Sequence, residues 1–128
     1  MNVGQRTIEW LYSTQLQVDD EWALRQPDGF TWWAYQNAQT IEIIGEEQGP
    51  DGQTGYIVSV RTDMVDDLDL TDQSADDICT GPMHTAALAG PVYDAETRRL
   101  SLCSLALVHE ENAQWMRVLL SAAAATQL

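Results

Sequence analysis

The 128-residue chain contains no lysine. Six arginines are its only strong bases, set against twenty acidic side chains, giving a formal net charge of −14 and a sequence pI near 4.1. Strong nucleic-acid binding and docking on anionic lipid both need a positive footprint, so an acidic balance of this size argues against both. Cys79 and Cys103 are too few for a disulfide framework and too far apart for a CxxC motif, and reduced thiols are expected. No run approaches the roughly 20 apolar residues that a membrane-crossing helix needs. Glu9, Asp19, Asp20 and Glu21 interrupt the region where a signal peptide would be continuously apolar, which predicts a cytoplasmic protein. GxGxxG, Walker-type, GxSxG and HExxH motifs are all missing, leaving phosphate cradling, serine hydrolysis and zinc proteolysis without motif support.

What is present is an ordinary globular composition, 45% hydrophobic, sufficient for the core of one domain over residues 1–128. Val3, Thr7, Leu11, Thr14 and Val18, with Ile8, Tyr12 and Leu16 beside them, have helical spacing over residues 3–18. Residues 19–22 can start a further turn, and Gln26-Pro27-Asp28-Gly29 breaks the chain. Aromatic and β-branched residues then predict strands over 30–35, 40–46 and 56–64, with a polar turn at 36–39. Residues 63–77 hold seven aspartates and no base, which excludes them from the core. Gly81-Pro82 isolates 83–89 as a separate helical turn. Residues 90–93 and 99–108 read as a second hairpin, and Glu110, Glu111 and Asn112 open a closing helix whose negative charge suits its N-terminus. Along that helix Trp115, Met116, Leu119, Leu120, Ala123 and Ala124 recur at mixed three- and four-residue spacing, and Trp115, Met116, Leu119 and Leu120 are expected to pack on the sheet, with a dimer interface or docking groove as the competing reading. It meets no glycine or proline before Leu128, so the chain is expected to be the N-terminal part of a longer one. The order α-β-β-β-α-β-β-α describes an α+β fold with about five antiparallel strands and helices packed on them.

The stretch Leu88-Ala89-Gly90-Pro91-Val92-Tyr93-Asp94-Ala95-Glu96-Thr97-Arg98-Arg99-Leu100-Ser101-Leu102, a short helix leading into a hairpin and followed by the helix from Glu110, resembles the type III secretion chaperone and YbjN-like superfamily. The element order and the acidity of the chain agree with that resemblance. It implies a non-enzymatic module, often a homodimer, that binds a polypeptide segment of a partner protein or regulates one. It carries no catalytic residue, metal or cofactor.

Strand alternation sorts the predicted meander into two faces. Phe30, Trp32, Ala34, Ile41, Ile43, Tyr56, Val58 and Val60 form a nearly apolar set expected under the helices. Thr31, Trp33, Tyr35, Glu42, Ile44, Ile57, Ser59 and Arg61 form a mixed set. Of these, Trp33, Tyr35, Ile44, Ile57 and Arg61 are the candidate partner-binding residues, since large apolar anchors among polar groups suit a reversible interface; the competing reading packs Trp33 and Tyr35 under a loop or the second hairpin. A ligand-sensing regulatory domain is the second functional reading.

An enzyme using Cys103 or the acidic cluster is the weakest reading. Asp67, Asp69 and Thr71 alternate like calcium ligands, but Asp72 and Ile78 stand where an EF-hand needs glycine and glutamate. Cys79, His84, Cys103 and His109 have no recognised ligand spacing. Cys103 is expected to be buried as a small hydrophobe within its apolar run, and His109 to be a structural polar group at a strand-to-helix junction.

Overall fold

The computed structural model describes residues 1–34, 37–67 and 90–127. Tyr35, most of the aspartate stretch, and the helical turn expected at 83–89 lie outside the described residues. Among the described residues the architecture is α+β: six antiparallel strands in the order β1-β2-β3-β4-β6-β5, with two helices against the sheet. The strands are β1 (Ala23–Gln26), β2 (Gly29–Ala34), β3 (Asn37–Gln48), β4 (Thr54–Val65), β5 (Gly90–Asp94) and β6 (Arg99–Val108). The helices are α1 (Val3–Trp10) and α2 (Ala113–Gln127).

Helix α1 starts in a reciprocal cap. The Gln5 amide donates to Asn2 Oδ1 at 2.8 Å, and the Asn2 amide donates to Gln5 Oε1 at 3.0 Å, satisfying two donors that have no partner within the helix. The expected helix over 3–18 stops early. At Leu11–Gln15 it widens into a π turn, with the Leu16 amide reaching the Leu11 carbonyl at 2.8 Å. The wider turn rotates the following residues off the α-helical stripe, so Leu11 and Tyr12 are buried and Thr14 is exposed.

The expected break at 26–29 is a hairpin turn. Gln26 pairs with Gly29 around Pro27-Asp28, making β1 an edge strand that local sequence does not announce. Its Ala-Leu-Arg-Gln sequence has little β character, and its pairing with β2 supplies what propensity does not. Gly29 is required by proximity, since a Cβ there would lie 2.4 Å from the Ile41 carbonyl oxygen. Asn37, Ala38 and Gln39, expected in a turn, belong to β3.

On the covered face, Phe30, Ile41, Val58, Val60 and Val108 meet Val3, Ile8, Leu11 and Tyr12 from the N-terminal segment and Leu120 and Ala124 from α2. Trp32, Ile43 and Tyr56 pack at the margin of this core, as alternation predicts, and Tyr12 meets Phe30 edge-to-face at 4.9 Å. The Tyr12 hydroxyl hydrogen-bonds Asp20, and Arg25 lies over the Tyr12 ring at 4.1 Å. That hydrogen bond, reinforced by burial, raises the phenol pKa above its ordinary value.

A chain of buried amides and hydroxyls seats α2. Trp32 Nε1 donates to Gln39 Oε1 at 2.9 Å, and Gln39 Nε2 donates to Thr62 Oγ1 at 2.9 Å and to the Ala124 carbonyl at 3.1 Å. Thr62 Oγ1 donates to Gln127 Oε1 at 2.8 Å, and Gln127 Nε2 donates to Ser104 Oγ at 3.0 Å. The helix itself begins after a turn over Glu110, Glu111 and Asn112, where Asn112 Oδ1 accepts from the His109 amide. Met116 is half-buried and Leu120, Ala123 and Ala124 are buried, but Trp115 is 72% exposed and Leu119 is 40% exposed, contrary to the packing expected of them. Each precedes a sheet-facing residue by one position, a rotation of about 100° around the helix. Among the described residues no helix is long and apolar enough to cross a membrane.

Candidate partner-binding face

The two helices contact the side of the sheet that carries Ile41, Val58 and Val60, so alternation leaves Leu24, Thr31, Trp33, Thr40, Ile57, Ser59, Arg61, Asp63, Arg99, Cys103, Leu105 and Leu107 on the other side. Among the described residues no helix covers this side, and a trough of about 590 Å³ crosses one end of the open face from β1 to β6. Thr31, Ala38 and Thr40 are small enough to lie low between larger neighbours, and the Thr31 and Thr40 hydroxyls bond to each other at 2.8 Å. Leu24 and Trp33 form one end, while Arg61, Asp63, Met64, Asp66 and Arg99 form the other. Leu24, Trp33 and Met64 are exposed, Trp33 to 43%.

The polar end is an ion-pair network. Arg61 Nε is 3.7 Å from Asp63, Arg99 Nη1 is 3.4 Å from the same carboxylate, and Arg99 Nε donates to Asp66 at 2.7 Å. Ser101 Oγ donates to Asp63 at 3.1 Å. The Asp66 hydrogen bond, with Asp63 close by, raises the Arg99 pKa above its ordinary value. Behind these groups Asp94 accepts from the backbone amides of Glu96 at 3.0 Å and Thr97 at 3.4 Å, which holds its carboxyl below the usual range.

Of the five candidate residues, Trp33 and Arg61 share this trough. Ile57 is half-buried and faces Gly45 across the β3–β4 pair, outside the trough lining. Ile44 is the extra residue of a bulge between Ile43 and Gly45. It is exposed in a separate cleft with Asn2, Asp28 and Tyr56, because the bulge breaks the alternation that assigned it to the mixed face. Tyr35 lies outside the described residues. Sequence reasoning missed Leu24, because β1 went unrecognised. It also missed Asp63, Met64, Asp66 and Arg99, which reach the trough through the β4 bulge at Asp63/Val65 and the β4–β6 pairing.

Cys103 is half-buried on the open face, 3.4 Å from Ser59 Oγ, rather than enclosed in the core. His109 follows the end of β6, about 20 Å along an extended strand from Cys103, so the two do not form a nucleophile and base. Among the described residues no group of three or more metal-ligating side chains converges. The trough thus sets exposed apolar groups at one end and paired charges at the other.

Comparison with protein-family models, curated proteins and solved structures returns no match to this chain.

Proposed function

We propose that the protein is a cytoplasmic, non-enzymatic polypeptide-binding module, similar in type to secretion chaperones and YbjN-like regulators, and that a partner's extended segment lies in the open-face trough. One observation carries this reading: Trp33 stands exposed beside a low floor of threonine and alanine, with Leu24 and Met64 along the same trough. Large exposed rings beside a groove are characteristic anchors of protein interfaces, and aromatic side chains dominate their binding energy. The homodimer implied by the resemblance has a suitable surface elsewhere. The outer side of α2 exposes Trp115, Val118 and Leu119, and no acidic residue lies within the helix to oppose a second copy of charge −14.

Selection from a displayed peptide library on the immobilised protein tests the peptide-binding reading. Enriched peptides are expected to bind the wild type and to lose at least about tenfold in affinity against Trp33→Ala. A library that yields no enriched sequence, or peptides that bind the variant equally well, would overturn it. Light scattering gives the mass in solution and decides the homodimer separately.

A further inference from the structure

The trough has a more selective chemistry than a generic peptide site. Building on the peptide-binding function proposed for it, we infer that its occupant is a cationic extended segment of about six residues, with apolar side chains directed to Trp33 and Leu24 and a lysine or arginine directed to Asp66. The length comes from the geometry. The trough crosses β1, β2, β3, β4 and β6, four inter-strand spacings of about 4.8 Å, and an extended chain covers that span with about six residues.

The charge is set by the network at the polar end. Arg61 and Arg99 are paired with Asp63, and Arg99 also with Asp66; counting Arg98, Asp67 and Asp94 as well, the cluster sets four carboxylates against three guanidiniums and so carries one excess negative charge. Asp67 pairs with Arg98 at 3.3 Å, and Asp94 adds a further carboxylate behind Arg99. The Asp66 side chain is 66% exposed and the Arg99 side chain 40% exposed. A pair so open to water is weak and exchangeable, and an incoming cation can share Asp66 or take it over. At longer range a net charge of −14 repels an acidic segment and accelerates the approach of a basic one. The apolar end sets the register, and the excess carboxylate of the network together with the net charge of −14 sets the sign.

The test uses three labelled octapeptides, alternating leucine with lysine, serine or glutamate, and reads binding by fluorescence anisotropy. The lysine–leucine peptide should bind at least about tenfold more tightly than the glutamate–leucine peptide, and weaken as salt rises from about 50 to 300 mM. Asp66→Asn should weaken lysine–leucine binding about fivefold and Trp33→Ala about tenfold. Glu47→Gln, the same change in charge at the far end of β3, should change it less than about twofold. Equal losses in Asp66→Asn and Glu47→Gln would mean diffuse attraction to an acidic protein and would overturn the assignment. Comparable binding of the serine–leucine or glutamate–leucine peptide, still lost in Trp33→Ala, would overturn the cationic occupant while leaving the peptide-binding reading standing. If none of the three binds, the cationic occupant fails, and the library selection then decides the peptide-binding reading by itself.

Discussion

The side-chain amide of Gln39, in the middle of the sheet, donates a hydrogen bond at 3.1 Å to the carbonyl of Ala124 in the last turn of α2. The last four carbonyls of a helix have no partner within it, so this contact both caps α2 and fixes its position on the sheet. Gln39 also holds Trp32 and Thr62, which makes one buried amide the junction of three elements.

Gln39→Ala should therefore cost about 2–4 kcal/mol, because the Trp32 indole N–H and the Ala124 carbonyl both lose a partner in a buried setting. Urea denaturation of wild type and variant checks this. A cost below about 0.5 kcal/mol would show that water replaces the amide without loss.

The adjacent tryptophans should separate stability from binding. Trp32 packs on the core and donates to Gln39, so Trp32→Ala should cost about 3 kcal/mol or more. Trp33→Ala, on the open face, should stay within about 0.5 kcal/mol of wild type in denaturation while weakening peptide binding about tenfold.

Gly29→Ala should destabilise the hairpin of β1 and β2 by about 2–3 kcal/mol. The added carbon would collide with backbone at the Ile41 carbonyl and with Glu42, groups that cannot give way without shifting β3. Thermal unfolding is the direct measurement.

Alkaline stability should depend on Tyr12. Its pKa is raised in the fold, chiefly by the hydrogen bond to Asp20, so its contribution is complete below the ordinary phenol pKa of 10.0 and is lost as pH rises through the higher folded value. The melting temperature of the wild type should fall more steeply above pH 10 than that of Tyr12→Phe, which has no proton to lose at that position. Parallel curves for the two proteins would contradict the assignment.

On α2, Leu120→Ala should cost about 2–5 kcal/mol, whereas Trp115→Ser should change stability by less than about 0.5 kcal/mol. The contrast reflects the burial of Leu120 and the exposure of Trp115.

Much of the fold was legible in particular residues. Alternation in β2, β3 and β4 correctly separated Phe30, Ile41, Val58 and Val60 from Trp33 and Arg61, since a half-buried strand with period two has only two sides. The hairpin of β5 and β6 lies nearly where its polar turn predicts. Gln39 reads as a turn residue because polarity ordinarily signals exposure; its burial depends on partners from β4 and α2 that are distant in the chain. Ile44 leaves the alternation because β3 bulges beside Gly45, and a lone glycine inside a strand is the local sign of such a bulge.

The amino-acid order by itself determined the acidity, the class of fold and the side of the central strands that would be covered, since charge and periodicity are properties of neighbouring residues. Tertiary structure alone decided that β1 joins the sheet edge, that α2 turns Trp115 outward, and that Asp63, Asp66 and Arg99 close one end of the trough beside Trp33. Those outcomes depend on pairings between segments far apart in the chain, whose energies are set by register and packing rather than by local preference.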